Sequence, residues 1–196
     1  MATTLDLEKQ YKDDIVPGLA ETLGDVNVHE LPRLTKAVVN TGVGRVAYQR
    51  RLRSASKQTE EELVADILQA LSMVAGQRPK VVIANRSIAG FKLRAGTVVG
   101  MAVTLRGRRM YDFLGRLVHV ALPRTRDFRG VSKKGVDKNG NLTIGIRDAS
   151  IFPELSQQTN LQQFGFEVTL VTNTTDRAAA LELFERLGIP FAKEEK

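Results

Sequence analysis

Apolar residues recur at three- and four-residue intervals in several stretches of the chain, and this spacing predicts helices. The predicted helices lie over residues 5–23, 59–76, 108–122 and 176–187. Pro17 should kink or split the first helix, because proline lacks the backbone donor that a helix interior requires. Thr59 and Glu62 form a capping box at the start of the second helix. Its apolar face consists of Leu63, Ile67, Leu71 and Val74.

Shorter stretches have the composition and the alternation of β-strands. They lie over residues 36–44, 80–84, 98–106, 141–148 and 166–172. Helices interrupt these strands irregularly, and several strands follow one another without a helix between them. This order favours an α+β fold, with a mostly antiparallel sheet, helices packed on one face and long basic loops, over a doubly wound parallel fold. The 196 residues contain no linker-like break, so a single domain over 1–196 is expected.

Positive charge is concentrated in the middle of the chain. Residues 78–147 carry 16 Lys or Arg against 3 Asp or Glu, whereas both flanks are net negative. Charges of one sign repel each other unless a polyanion neutralises them. Nucleic acid is the favoured polyanion, with a solvated basic face and an anionic lipid surface as alternatives. There is no run of about 18 apolar residues and no secretory leader, so we expect a soluble cytoplasmic protein without a membrane partner.

Catalytic and metal-binding patterns are weak. The chain has no Cys, which removes disulfides, thiolate chemistry and Cys-containing zinc sites. The sequence Gly42-Val43-Gly44 lacks the closing glycine and the acidic partner of a dinucleotide-binding loop, so a simple turn is favoured. His29 and His119 are far apart and have no partner at metal-ligand spacing. We therefore expect no catalytic residue, no metal and no cofactor.

Few aromatic residues accompany the basic ones. The block 78–147 contains only Phe91, Tyr111, Phe113 and Phe128. Proteins that bind single strands interleave basic residues with exposed aromatic rings, and no such platform on a strand is evident here. The composition therefore favours recognition of folded RNA through its shape and its phosphates.

Several segments together resemble a known family. They are "LPRLTKAVVNTGVG", "NRSIAGFKLRAGTVVGMAVTLRGRRMYDFL", "ALPRTRDFRG", "GNLTIGI", "IFPEL" and "LGIPF". In this order they are similar to the bacterial large-subunit ribosomal protein five family. The resemblance implies a non-enzymatic protein of the cytoplasmic ribosome that binds 5S rRNA, helps form the central protuberance, contacts P-site tRNA and takes part in an intersubunit bridge. It also implies large-subunit rRNA, neighbouring large-subunit proteins and a protein of the small-subunit head as partners.

The resemblance also implies, by position, which residues make these contacts. The 5S rRNA-binding residues would be Lys36, Asn40, Gly42, Gly44, Gln77, Thr104 and Arg106. The tRNA-facing loop, residues 85–94, would use Asn85, Arg86, Ser87, Lys92 and Arg94. Guanidinium groups match phosphate oxygens, so rRNA phosphates are assigned to Arg124, Arg126 and Arg129. The intersubunit bridge would use Lys133, Lys134 and Lys138.

The basic loop that follows Pro123 is expected to be mobile until a partner orders it. Its glycines and charged residues offer few apolar contacts to offset an ordering cost of roughly 1–2 kcal/mol per residue. A solvated loop without a partner is the alternative. For the whole chain, the alternatives are an RNA chaperone outside the ribosome, which would bind RNA weakly and without sequence preference, and an RNA-modifying enzyme, which would need a cofactor pocket.

Overall fold

A five-stranded antiparallel sheet and a set of α-helices make up the computed structural model. The structure describes residues 7–24, 27, 29–44, 60–91, 93–126, 128–155 and 163–192. The strands are β1 (Leu34–Gly42), β2 (Lys80–Ile83), β3 (Val98–Leu105), β4 (Leu142–Ile146) and β5 (Phe166–Thr172). The helices are α1 (Leu7–Gln10), α2 (Val16–Leu23), α3 (Glu60–Ala75), α4 (Arg108–Arg116) and α5 (Arg177–Arg186).

The order of the strands in the sheet is β2-β3-β1-β5-β4. β2 pairs with β3 in the antiparallel sense. β1 runs antiparallel to β5, since the hydroxyl of Thr35 donates to the carbonyl of Val171 at 2.9 Å and that of Thr41 donates to Gly165 at 2.7 Å. The predicted α+β class with a mostly antiparallel sheet is therefore confirmed.

The chain divides into two compact units. The first consists of residues 1–38, 105–144 and 168–196, and the second of residues 39–104 and 145–167. The expectation of a single domain over 1–196 stays a prediction. None of the helices that the structure describes is long and apolar enough to span a bilayer.

In the first unit, the helix predicted around Pro17 is divided as expected. α1 is followed by a π-helical turn, Tyr11–Ile15, and then by α2, which has Pro17 in its first turn. Because proline offers no backbone donor and its ring excludes the carbonyl one turn earlier, the wider π-turn precedes it. The run ends at Gly24, whose φ of 75° lies in the left-handed region. Residues 5 and 6 of the predicted helix lie outside the described residues.

The remaining helices of the first unit form its core. α4 continues as a π-turn and a 3₁₀ turn, so the helical run ends at Arg124 rather than at the predicted residue 122. Pro123 does not stop it, since a proline is tolerated in the first turn of the 3₁₀ segment. The rings of Tyr11 and Tyr111 lie 5.5 Å apart, and Phe113 is fully buried.

The second unit is built around α3. All four residues of its predicted apolar face are buried, namely Leu63, Ile67, Leu71 and Val74. The predicted cap, Thr59, lies outside the described residues. β1 and β3 approach closely, because the N–H of Val43 donates to the carbonyl of Val99 at 3.0 Å and Gly100 packs directly against the backbone of Thr41.

Hydrogen bonds connect the described part of the basic loop between α4 and β4 to other elements of the first unit, and its mobility without a partner stays a prediction. The N–H of Val131 donates to the carbonyl of Pro190 at 2.7 Å, and the N–H of Ala192 donates to the carbonyl of Val131 at 2.9 Å. The guanidinium of Arg177 donates to the carbonyls of Lys133 and Val136 at 3.0 and 3.3 Å. These bonds from α5 and from residues 190–192 offset the ordering cost of the loop.

Candidate RNA-binding surface

Alternation along β1 places the expected 5S-binding residues on its outer side. Val39 and Thr41 are buried, whereas Asn40 and Gly42 are exposed and Lys36 is half-buried. Successive side chains of a strand point to opposite faces, so Lys36, Asn40 and Gly42 share one face of β1. The other face contributes to the core. Gly44 lies two residues beyond the strand and is half-buried.

β3, the neighbour of β1, has the same alternation. Thr104 is half-buried and lies between the buried residues Val103 and Leu105, and Arg106 follows the strand and is exposed. In the second unit, Asn40 and Thr104 therefore occupy outward positions on adjacent strands. Gln77 is not part of either strand, because it lies in the turn after α3 and is half-buried.

Gly42 leaves a bare stretch of backbone on the outer side of β1. A Cβ atom built at this position would have no atom within 4 Å, and the φ of Gly42 is not in the left-handed region. Neither the backbone conformation nor the packing of the protein therefore requires glycine here. The missing side chain allows a ligand to approach the strand closely beside Asn40.

The loop that connects β2 and β3 is a hairpin closed by hydrogen bonds. Reciprocal bonds join Ile88 and Leu93, with N···O distances of 2.9 and 3.1 Å. The N–H of Ala84 donates to the carbonyl of Thr97 at 2.9 Å. The hydroxyl of Ser87 accepts the N–H of Ala95 at 3.0 Å, so this expected tRNA contact also closes the hairpin.

The charged side chains of this hairpin face solvent. Asn85, Arg86 and Arg94 are exposed, and Lys92 lies outside the described residues. Residues 67–111 contain no Asp or Glu and eight Lys or Arg. The hairpin thus lies within a segment that has no acidic side chain of its own to neutralise its charge.

Sequence reasoning missed one residue of this hairpin. Phe91 ends the 3₁₀ turn Ala89–Phe91 at the tip and is 80% exposed. The sequence did contain a signal for it. Phe91 stands between Gly90 and Lys92, outside any helical or alternating apolar pattern, where a core position is not expected.

The assigned phosphate-binding arginines Arg124, Arg126 and Arg129 are all exposed. The bridge lysines are not equivalent. Lys134 and Lys138 are exposed, but the Nζ of Lys133 lies 3.0 Å from an Oε1 atom of Glu185 and 6.0 Å from the centre of the Phe191 ring. Lys133 therefore holds the loop against α5 rather than extending freely from its tip.

A carboxylate organises the turn that carries Lys138. Asp137 accepts the N–H of Asn139 at 2.9 Å, the N–H of Asn141 at 2.8 Å and the side-chain amide of Asn141 at 3.0 Å. The backbone and side-chain hydrogen bonds from Asn141 lower the pKa of Asp137 below its usual value, because they favour the charged form. The turn is consequently fixed at neutral pH.

Catalytic geometry is not evident in the part of the chain that the structure describes. Its residues include no group of three or more His, Cys, Asp or Glu that could hold a metal ion. His29 and His119 are both exposed.

A polar, glycine-containing face on an antiparallel sheet, together with a basic hairpin, is typical of proteins of the RNA-binding class. The family model described as ribosomal protein L5 matches residues 27–94, and the model of the ribosomal L5P family C-terminus matches residues 98–191. The chain belongs to the ribosomal protein L5 family. Members of this family are structural proteins that bind rRNA and serve translation, and the chain is not an enzyme.

Similarity to individual proteins supports the same family over nearly the whole chain. The large ribosomal subunit protein uL5 of Sulfurovum sp. (strain NBC37-1) is 40% identical over 94% of this chain and 96% of its own length. The uL5 protein of Ligilactobacillus salivarius (strain UCC118) is 41% identical over 95% of this chain and 98% of its own length. The uL5c protein of Emiliania huxleyi is 43% identical over 94% and 96%.

Proposed function

We propose that the chain is a structural constituent of the large ribosomal subunit that binds 5S rRNA through the outer sides of β1 and β3. Membership of the L5 family and the similarity to large ribosomal subunit proteins uL5 support the ribosomal assignment. The observation that carries the RNA contact is the outward placement of Asn40 and Thr104 on adjacent strands, with the bare backbone of Gly42 two residues from Asn40. The chain would then act in the cytoplasm, as part of the ribosome.

The residues of this surface have different roles. The amide of Asn40 and the hydroxyl of Thr104 both donate and accept hydrogen bonds, so they can recognise base edges or 2′-hydroxyls. Lys36 and Arg106 neutralise phosphates, which positions RNA without reading its sequence. Gly42 and Gly44 let the RNA backbone approach the strand, and Gln77 adds an amide from the turn after α3.

Competition binding tests this assignment. Asn40→Ala should lower the preference for 5S rRNA over an unrelated structured RNA of equal length by about 1–3 kcal/mol if Asn40 bonds to a base. Arg106→Ala is the matched control, and it should weaken binding to both RNAs alike, because phosphates are common to both. An unchanged competition ratio for Asn40→Ala would refute the site. Binding of the wild type to both RNAs with equal affinity would favour an RNA chaperone instead.

The hairpin at residues 85–94 supports a second contact, with P-site tRNA at the central protuberance. Its backbone is held by the bonds between Ile88 and Leu93, and Arg86 and Arg94 are exposed on it. A preformed basic hairpin can meet phosphates without an ordering cost. Replacing Arg86 and Arg94 together by Ala should speed the dissociation of P-site tRNA from ribosomes, and an unchanged rate would argue against this contact.

The folded basic loop supports an intersubunit bridge. Lys134 and Lys138 are its exposed lysines, whereas Arg124, Arg126 and Arg129 are placed to hold large-subunit rRNA. Replacing Lys134 and Lys138 by Ala should weaken the joining of the subunits and leave 5S binding intact, with a protein of the small-subunit head as the lost partner. Replacing the three arginines should instead impair incorporation into the large subunit beside its neighbouring proteins. The reverse pattern would contradict both roles.

A further inference from the structure

Phe91 is the most exposed large apolar side chain of the residues that the structure describes. It is 80% exposed, compared with 54% for Ile83, 42% for Met73 and 40% for Val82. An aromatic ring left in water without a partner loses the stabilisation that burial would provide. The exposure of this ring therefore indicates a binding surface.

The backbone around Phe91 holds the ring in this position. The N–H of Phe91 donates to the carbonyl of Ile88 at 3.3 Å, which forms the 3₁₀ turn at the tip. Below the tip, the paired bonds of Ile88 and Leu93 and the bond from Ala95 to Ser87 close the hairpin. The side chain consequently projects from a preformed support, and little order must be gained when a ligand binds.

The charge around Phe91 indicates the chemistry of that ligand. Arg86 and Arg94 are exposed on the same hairpin, and Lys92 follows Phe91 directly in the sequence. No acidic residue occurs from residue 67 to residue 111, so the charged side chains of this segment are all positive. Positive charge beside an exposed aromatic ring is the combination that binds phosphates and stacks on a base.

We propose that Phe91 stacks on an unpaired nucleobase, while Arg86 and Arg94 neutralise the adjacent phosphates. This inference rests on the proposed RNA contact of the hairpin, and it adds the kind of contact that the tip makes. The base can belong to the tRNA in the P site or to rRNA. Both sources share the same chemistry, and the experiment below distinguishes them.

The first part of the experiment measures the contribution of the ring. Large subunits are reconstituted with the wild type, Phe91→Leu, Phe91→Tyr or Ile83→Ala, and both the affinity of the chain for the subunit and the dissociation rate of P-site tRNA are measured. Phe91→Leu should weaken one of these two interactions by about 5- to 150-fold, the usual range for losing one stacked base. Phe91→Tyr should retain it, since its ring also stacks. Ile83→Ala removes an exposed apolar side chain of β2 and should have no effect.

The second part identifies the source of the base. The chain contains no Trp, so Phe91→Trp introduces a single indole. Supplied as 5-hydroxytryptophan, this indole can be excited at longer wavelengths than the tryptophans of other ribosomal proteins, and stacking on a base quenches its emission. Quenching in the large subunit alone identifies an rRNA base. Quenching only after P-site tRNA is added identifies a tRNA base.

Two results would overturn the stacking proposal. One is the absence of quenching both with and without tRNA. The other is an equal loss for Phe91→Leu, Phe91→Tyr and Ile83→Ala, which indicates an apolar protein contact. In either case, a loss of tRNA retention on replacing Arg86 and Arg94 would show that the proposed contact of the hairpin stands without a stack. If those arginines have no effect either, the contact itself is refuted.

Discussion

Replacing Gly42 by Ala separates the needs of the fold from the needs of RNA binding. The added methyl group would lie on the outer side of β1 with no protein atom within 4 Å, and the backbone conformation suits any residue. Glycine in a strand loses more conformational freedom on folding than alanine does. The free energy of unfolding of Gly42→Ala should therefore be unchanged or raised, by up to about 1 kcal/mol.

The same methyl group should weaken 5S binding. It occupies space that the RNA backbone would use beside Asn40. The RNA is then displaced, and even a shift smaller than a methyl group lengthens the neighbouring hydrogen bonds. Loss of one such bond costs about 1–3 kcal/mol when a buried partner is left unsatisfied, which corresponds to roughly 5- to 150-fold in affinity. The variant should therefore be as stable as the wild type but bind 5S rRNA more weakly.

Gly100→Ala is the matched control on the neighbouring strand. A Cβ atom at Gly100 would lie 2.7 Å from the carbonyl oxygen of Thr41, which belongs to the backbone and cannot turn away. This variant should lose about 1–3 kcal/mol of stability, as expected for an overpacked interior position. Urea unfolding followed by circular dichroism measures the stability of both variants. Filter binding without urea, where both variants are folded, measures their affinity for 5S rRNA.

The outcome that would refute this reasoning is specific. If Gly42→Ala binds 5S rRNA as well as the wild type while Asn40→Ala loses its preference for it, RNA does not approach the backbone at Gly42. If Gly42→Ala instead unfolds as readily as Gly100→Ala, the outer side of β1 is packed against protein and is not a surface.

Three further predictions concern charge and ionisation. If about six phosphates are contacted, the logarithm of the affinity for 5S rRNA should fall with the logarithm of salt concentration with a slope of roughly −4 to −5, and a flat filter-binding titration would contradict this. Burial raises the pKa of Tyr111, with smaller contributions from Tyr11 and Glu8, so the folded state keeps this proton more tightly than the unfolded state. Stability should thus be complete below about pH 10 and decline at higher pH, and Tyr111→Phe should reduce that decline in urea unfolding. The lowered pKa of Asp137 has the opposite sign, since its stabilisation is present above about pH 4 and is lost as the pH falls through the folded-state pKa. Asp137→Asn should remove this acid dependence, and an unchanged difference in unfolding midpoint between pH 5 and pH 3 would show that the turn does not depend on the charge.

The elements that depend on local signals could be predicted from the sequence. The bounds of β5 agree with the predicted strand 166–172, and the apolar face of α3 was correct at every position, because alternation and helical spacing are read within a few residues. The outward placement of Asn40 and Gly42 also follows from alternation once β1 is recognised.

The features that the sequence did not reveal depend on contacts between residues that are far apart along the chain. Val131 pairs with Pro190, and Arg177 reaches the carbonyls of Lys133 and Val136, so the order of the basic loop has no local signature. The pairing of Lys133 with Glu185 was missed for the same reason. The exposure of Phe91 could have been suspected from its place beside Gly90, but its degree depends on the geometry of the hairpin.

The hydrogen bonds between Val131 and residues 190–192 also determine at which stage of protein synthesis the basic loop can form. During synthesis, Val131 leaves the peptidyl transferase centre long before Pro190 and Ala192 are added, and until then its N–H and carbonyl lack these partners. The loop that carries Lys134 and Lys138 is therefore completed only when translation has passed Ala192. Nascent chains interrupted before that residue would display the same lysines on an unfixed loop, which links the presentation of this surface to the progress of synthesis.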